Sequence, residues 1–438
     1  MPLFTARRLF VNLAALMVHE FSRPVTALLR DDLLTRDISY LHLHCGRGED
    51  LSGLSVLGYK AAGWDGIFQP ETRHAADIVN LGYYLGELSE QADRAEALAS
   101  AYKLTRKILV VAGVLHEASV SQQMIYFRDP ASTQKIHVKH WFEHHELQQL
   151  IEDVLHATAV PAGPGLFYVF RNPEDEQDFL WACMRTPVDM SKVMVEGSNR
   201  KPEDQELLEW FWARMLELGR RPAAEEFPGM QELRSRFGSA RKAEQLFKDR
   251  FGAKVLRQAQ QRRMEDLLIY IAVANSRRRV RFNRLSASLR RDVKAFFPNY
   301  TTALTQALQV RAELRPKTKF QNACETLKIG WQDKHVVYLH RALVDSLPLC
   351  LRFHVKQAIH LCGRVPEADV LKLHKSSGAV TFLCYDNFEE QVEPKLLRSV
   401  KVNAQTSTVQ IFNYPAERRG LRQKGRFTAT PSSNLLCL

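Results

Sequence analysis

The chain has 438 residues, of which 45% are hydrophobic and 25% charged, and its formal net charge is +12. This length allows two or three domains, and no apolar run approaches the roughly 20 residues of a membrane span. The positive charge favours a polyanionic partner such as nucleic acid. Seven cysteines without CxxC pairs indicate reduced thiols in the cytoplasm rather than a disulfide framework.

Residues 1–36 are typical of a helical N-terminal segment. Basic residues precede an apolar stretch, as in a signal peptide, but Asn12, His19 and Glu20 interrupt that stretch and no small-residue cleavage site follows. We therefore expect an amphipathic first helix.

Residues 40–65 read YLHLHCGRGEDLSGLSVLGYKAAGWD, which predicts strand, glycine-rich turn, helix, strand and a final acidic residue. This is the order of the first βαβ unit in a nucleotide-binding α/β domain. Gly46 and Gly48 let the backbone approach a ligand, beside the unpaired N–H groups of the next helix. Asp65 follows about 20 residues later, where a carboxylate can accept both hydroxyls of a ribose. The CGRG spacing fits an S-adenosylmethionine (SAM) site better than the GxGxxG of dinucleotide enzymes.

The next segments continue an α/β pattern. Residues 76–88 read ADIVNLGYYLGEL, and they precede a predicted helix at 92–105 and a strand at 107–112. Only about a dozen residues separate Asp65 from Asp77, so a third strand is expected to be shortened or lost. A helix is predicted at 146–155, and a strand edge at 157–161 and a strand at 166–170 resemble the antiparallel sixth and seventh strands of class I methyltransferases. We predict an α/β, Rossmann-like class I methyltransferase domain over 37–183.

A helical, basic region is predicted at 205–328, after a linker rich in Pro, Gly and charge. Two helices around Gly238 and Ser239 are compatible with a helix-turn-helix, although many helical hairpins share this pattern. The residues that we select as candidate nucleic-acid contacts are Arg277, Arg278, Arg279, Arg281 and Arg284. The alternative is a set of solvated helix faces, partly neutralised by acids such as Glu226 and Asp266.

The sequence pattern of residues 329–438 predicts a mixed α+β region. Helices are expected at 335–343, 349–362 and 367–374, and strands at 379–385 and 409–412. The basic tail from Pro415 is expected to be partly disordered. His42 and His44 with His140, His144 and His145 could hold zinc only if distant segments met, so no metal site is predicted.

The chain resembles the methyltransferase-like family associated with DNA phosphorothioation, along nearly its whole length. The segments that carry the resemblance are SRPV at 22–25, CGRGED at 45–50, LGYKAAGWD at 57–65, ADIVNLGYYLGEL at 76–88, GLFYVFRNPEDEQDFL at 165–180, DVKAFF at 292–297 and AVTFLCYDNFEEQVEP at 379–394.

The resemblance implies SAM as cofactor, and DNA and proteins of the phosphorothioate system as partners. Cys45, Gly46 and Gly48 would line the methionine and ribose end of SAM, and Asp65 would hold the ribose hydroxyls. Asn80 and Leu81 would lie where the target enters. The residues after Asn80 lack the prolines of enzymes that methylate exocyclic amines of DNA bases, which argues against that class.

The first loop departs from the family pattern, which reads Asp-Tyr-Gly-Cys-Gly-Arg-Gly. His42 replaces an acid, and His44 replaces a glycine, where a side chain can fill space that the cofactor needs. Two functions therefore stay open: a SAM-dependent methyltransferase acting on DNA, or a catalytically degenerate DNA-binding accessory protein with the same fold. An RNA substrate is a third option.

Overall fold

The computed structural model describes residues 21–68, 73–116, 126–128, 135–186, 202–274 and 281–414, together with Gly425. They belong to two compact units. The helical unit is Gln177–Pro316, and the two-sheet unit combines the described residues up to Glu176 with those from Lys317 onward. The predicted first helix, most of the predicted linker and the basic tail lie outside the described residues.

Every described strand lies in the two-sheet unit. The strands are β1 Ser39–Leu43, β2 Lys60–Trp64, β3 Ala76–Gly82, β4 Thr105–Ala112, β5 Tyr126–Arg128, β6 Lys135–His137, β7 Val160–Gly163, β8 Leu166–Phe170, β9 Trp331–Gln332, β10 Val336–His340, β11 Val370–His374, β12 Val380–Tyr385, β13 Leu396–Asn403 and β14 Thr408–Asn413.

The helices connect and cover these strands or build the helical unit. They are α1 Arg23–Arg30, α2 Glu49–Val56, α3 Gln91–Leu104, α4 His144–Leu155, α5 Pro173–Met184, α6 Pro202–Leu218, α7 Met230–Phe237, α8 Ala240–Phe251, α9 Ala253–Ala274, α10 Ala287–Phe296, α11 Tyr300–Leu314, α12 Lys317–Glu325 and α13 Leu349–Cys362. Short 3-10 turns lie at Tyr84–Glu87, Ala224–Glu226, Phe282–Arg284 and Arg341–Ser346.

The first sheet has the strand order β2-β1-β3-β4-β8-β7. Strands β2, β1, β3 and β4 are parallel, whereas β8 is antiparallel to β4 and β7 is antiparallel to β8. The central strands are apolar runs that are buried on both faces, as parallel strands between helices must be. This is a Rossmann-like α/β sheet, and in the described part of the chain no strand separates β2 from β3.

The second sheet is an antiparallel meander in the order β14-β13-β12-β11-β10-β9. Its strands contradict the helices predicted at 335–343 and 367–374, because β10 and β11 occupy these residues. The sequences VVYLH and VLKLH alternate between two sheet faces, and β-branched Val favours strands. Helix α13 matches its prediction, and its apolar side chains join one core with residues of both sheets.

The helical unit has its own core of aromatic and aliphatic side chains from α6, α7 and α8, including Phe211, Trp212 and Phe247, together with Phe227 from the segment before α7. Gly238 and Ser239 separate α7 from α8, and the Ser239 hydroxyl caps α8 by accepting the Lys242 N–H. Among the helices that the structure describes, none has the length and apolar composition needed to cross a membrane.

Candidate functional site

The glycine-rich loop follows β1, the strand at which the strand order of the sheet reverses. Strand β1 pairs with β2 on one side and β3 on the other, and ligands of such sheets bind at the carboxyl ends of the strands at this point. Gly46 and Gly48 have φ values of 56° and 77°, in the left-handed region that favours glycine. The loop is held to the end of β2, because the Cys45 N–H donates to the Trp64 carbonyl at 3.3 Å.

Asp65 follows β2 and joins three backbone N–H groups. One carboxylate oxygen accepts from Gly46 at 3.1 Å, and the other accepts from Ile67 at 2.9 Å and from Phe68 at 3.0 Å. Burial acts to raise the pKa of Asp65, but these three donors together lower it below its usual range. Asp65 is therefore ionised and adjoins the glycine loop, as its predicted role in ribose binding requires.

His44 lies directly after β1. Its φ of 57° turns the backbone after β1, so His44 does not share a strand face with His42. The ring stacks on Tyr84 with 3.3 Å between centroids and meets Trp64 edge-on at 5.1 Å. Burial, with the charge of Arg73, lowers the pKa of His44 to about 4, so the ring is neutral at pH 7.

Asp50 supplies a carboxylate near His42, at the start of α2. Its oxygens accept from the Ser22 N–H at 2.8 Å and the Ser22 hydroxyl at 2.6 Å. The His42 Nδ1 atom is buried, lies 3.9 Å from an Asp50 oxygen and makes no hydrogen bond. Burial lowers the pKa of His42, against the attraction of Asp50 and Asp65. Sequence reasoning missed the bonds between Asp50 and Ser22, although the segments CGRGED and SRPV, which carry the family resemblance, contain these two residues.

Asn80 and Leu81 lie at the carboxyl end of β3. The Asn80 side chain is fully buried, donates to the Tyr40 hydroxyl at 2.9 Å and accepts the Gly82 N–H at 2.9 Å. Leu81 belongs to the core of the sheet. Both side chains are thus engaged inside the sheet, and Tyr84 is the side chain from this segment that contacts the first loop.

Aromatic and cationic side chains surround the same strand ends. The Arg73 guanidinium lies 3.5 Å from the centre of a Trp64 ring, and Arg47 lies 5.9 Å from that of Phe68. Sequence reasoning did not select Trp64, Arg73 or Tyr84, because only the fold brings these residues together. The rings of Trp64 and Tyr84 lie near an ionised carboxylate, and one face of each is covered, by Arg73 and by His44 respectively.

Two of the histidines considered as zinc ligands, His140 and His144, have other partners. His144 accepts the Gly165 N–H at 3.0 Å through Nδ1 and lies 2.9 Å from the Leu361 carbonyl through Nε2. His140 pairs with Glu146 at 3.2 Å. In the described ranges, no group of three or more His, Cys, Asp or Glu side chains is arranged to hold a metal ion.

The predicted nucleic-acid contacts are only partly described. Arg277, Arg278 and Arg279 lie outside the described residues, whereas Arg281 and Arg284 are exposed around a 3-10 turn. Other arginines of the helical unit form internal ion pairs; these pairs are Arg220 with Glu226 and Asp292, Arg221 with Glu244, Arg236 with Asp204 and Glu232, Arg263 with Asp266, and Arg291 with Glu225 and Glu226. Part of the basic character of this region therefore stabilises the unit itself.

No protein-family model and no curated protein matches the chain. Among solved structures, the chain is similar to a SAM-dependent methyltransferase from Aquifex aeolicus, with 13% sequence identity and a TM-score of 0.24. The match covers 34% of this chain and 89% of that chain. The Rossmann-like character of the first sheet rests on its own strand order and directions.

Proposed function

We propose that this protein is a cytoplasmic SAM-dependent methyltransferase that acts on DNA in association with phosphorothioate modification. The position of Asp65 supports this proposal most. Its ionised carboxylate accepts the Gly46 N–H, beside the point where the strand order of the sheet reverses. The reversed strand β8 beside β4 agrees with the class I arrangement that the sequence predicts. The DNA association rests on the family resemblance and the positive charge of the chain.

The site residues have complementary roles in this proposal. Asp65 holds the ribose hydroxyls of SAM, and Gly46 and Gly48 let the backbone approach its methionine end. SAM supplies an electrophilic methyl group on a sulfonium, so the protein must align the acceptor and exclude water. Burial, with the charge of Asp65, raises the pKa of the Cys45 thiol to about 11, so this side chain stays neutral and is a poor competing nucleophile.

The acceptor differs from an exocyclic base amine in this proposal. Enzymes of that class use an Asn or Asp followed by prolines, whereas Leu81 and Gly82 follow Asn80 here. Both polar ends of the Asn80 side chain are also bonded within the sheet. We assign binding of the DNA backbone to the region 205–328, with Arg281 and Arg284 as exposed contacts.

Calorimetric titration with SAM tests the cofactor assignment. We expect micromolar binding by the wild type, at least a tenfold loss in Asp65→Ala, and no change in Asp93→Ala, which removes an exposed carboxylate from α3. A folded wild type that does not bind SAM would overturn the assignment.

A separate experiment tests the DNA partner. It measures the binding of labelled duplexes, with and without phosphorothioate linkages, to the wild type and to an Arg281→Ala, Arg284→Ala double variant.

A degenerate DNA-binding accessory protein is the second candidate. It is favoured by His44, whose ring stacks on Tyr84 at the loop position where the family has glycine. In that case the wild type binds DNA but not SAM. The two candidates are separated by measuring SAM binding and duplex binding on one preparation.

A further inference from the structure

The second sheet packs one face into the main core, and its other face carries a smaller cluster in which Val370, Leu383 and Phe388 are buried. Leu339, Leu371, Phe382, Val400 and Ile411 pair across five strands and all belong to the core. Successive side chains of a strand point to opposite faces, so the neighbouring positions lie on the other side. We call that other side the open face.

One row of paired residues crosses the open face. It consists of Trp331, Tyr338, Lys372, Thr381, Lys401 and Gln410, each opposite the next in the strand register. Trp331, Tyr338, Lys372 and Lys401 are partly exposed, Gln410 is exposed, and Thr381 between the two lysines is buried. Two aromatic rings and two ammonium groups therefore lie on one surface.

The aromatic end of this row has two partly exposed rings that pack on the small cluster and lie next to a cation. The rings of Trp331 and Tyr338 lie 5.3 Å apart at an interplanar angle of 35°. The Lys372 Nζ atom is 5.4 Å from the centroid of the Tyr338 ring. At the far edge, Phe412 occupies the same face, and the Tyr414 hydroxyl lies 3.0 Å from the Ser399 hydroxyl.

The charge of the open face is positive. The six strands of this sheet contain no Asp or Glu, whereas β11 and β13 contribute Lys372 and Lys401. The nearby acids lie in loops: Glu389 lies 3.4 Å from His340, Asp369 accepts the Tyr385 N–H at 2.9 Å, and Glu390 and Glu393 are exposed to solvent. Aromatic rings interleaved with cations suit bases attached to phosphates.

We propose that the open face binds single-stranded nucleic acid, with Trp331 and Tyr338 stacking on bases and Lys372 and Lys401 contacting phosphates. A single strand fits because its bases can turn out and stack on side chains, whereas bases in a duplex already stack on each other. The proposal uses no residue of the SAM site and none of the helical unit. It therefore stands even if the protein binds no cofactor.

Fluorescence anisotropy of the full chain with labelled oligo-dT and oligo-U of about 12 nucleotides tests the proposal, since such surfaces cover about 4–16 nucleotides. We expect Tyr338→Ala to weaken binding roughly tenfold and Tyr338→Phe to bind like wild type, because only the ring is needed. Lys372→Ala and Lys401→Ala each lower the slope of log affinity against log salt by about 0.7. The matched control is Lys103→Ala, which removes an exposed lysine from α3.

Wild-type affinity in both lysine variants would overturn the proposal, as would an equal loss in Lys103→Ala. Unlabelled duplex that competes as well as the single strand would overturn it too, and would point to the helical unit. Tight binding of either oligonucleotide supports it, and the ratio of the two affinities tells whether the 2′-hydroxyl is read. If Tyr338→Ala fails to fold in a thermal melt, the two lysine variants still decide the question.

Discussion

Replacing Asp292 by Ala tests whether the arginines of the helical unit stabilise its fold. The Asp292 carboxylate is 1% exposed and accepts from Arg220 Nε at 2.7 Å and from Trp181 Nε1 at 2.9 Å. Arg220 also forms two hydrogen bonds with Glu226, at 2.7 and 2.8 Å. Burial raises the pKa of Asp292 even though Arg220 acts to lower it, so the charge of this carboxylate depends on its partners.

The expected loss follows from what the substitution leaves behind. Removing one partner of a buried ion pair costs about 3–5 kcal/mol, and a stranded Trp181 N–H adds about 1–3 kcal/mol. Arg220 keeps Glu226, which offsets part of this cost, so we expect a loss of about 3 kcal/mol. Asp292→Asn keeps an oxygen for Trp181, but it loses the charge and places an NH2 donor against the Arg220 guanidinium, so we expect a loss only slightly smaller than that of Asp292→Ala.

Urea unfolding followed by tryptophan fluorescence measures this loss of stability. Trp181, Trp210 and Trp212 all lie in the helical unit and report on its unfolding. A loss of about 3 kcal/mol moves the midpoint by about 1–3 M urea. Arg291→Ala is the control, since Arg291 is one-third exposed and its ion pairs should contribute less than about 1 kcal/mol. An Asp292→Ala protein within about 1 kcal/mol of wild type would refute the reasoning.

Three further outcomes are expected. His44→Gly keeps the left-handed backbone, removes the stacked ring and should strengthen SAM binding about tenfold in calorimetry; unchanged affinity would show that the ring does not limit the site. Burial acts to raise the pKa of Glu226, but arginine partners lower it from 4.5 to about 2, so its stabilising effect is full above pH 4.5 and lost as pH falls towards 2. Glu226→Gln should flatten that acid limb of a stability-against-pH curve, and an unchanged limb would contradict the assignment. Gly363→Ala should destabilise the two-sheet unit by about 1–3 kcal/mol in a denaturant titration, because Gly363 has a φ of 77° and a Cβ there would collide with the Gly163 backbone. A variant as stable as wild type would show that the backbone at Gly363 can move away from that at Gly163 without cost.

The first sheet was largely predictable from sequence. The strand predicted at 166–170 is β8, and the strand, glycine turn, helix and acid of residues 40–65 all occur in the predicted order. These elements have strong local signals, because glycines mark the turn and apolar runs mark buried strands. The second sheet was less predictable: β13 was missed, since LLRSVKVN mixes polar and apolar residues.

The site residues illustrate a different limit. Asp65 could be selected from its spacing to the loop, but its three hydrogen bonds depend on how the chain turns at Ile67 and Phe68. The contact of Asp50 with Ser22 spans 28 residues, and that of His44 with Tyr84 joins two different strand ends. Such pairs follow from tertiary packing, which a pattern of residue types along one chain does not encode.

The bonds of Asp65 also constrain how a cofactor could enter. A carboxylate has about four acceptor sites, and three of them already accept N–H groups here. A ribose that offers two hydroxyls therefore has to displace one of these donors. The Gly46 N–H is the donor from the glycine loop, whereas Ile67 and Phe68 belong to the turn that follows Asp65 itself. Giving up the Gly46 bond would still leave the loop tied to β2 by the Cys45 N–H and the Trp64 carbonyl. The same carboxylate would then bond to the loop in the free protein and to the ribose in the complex.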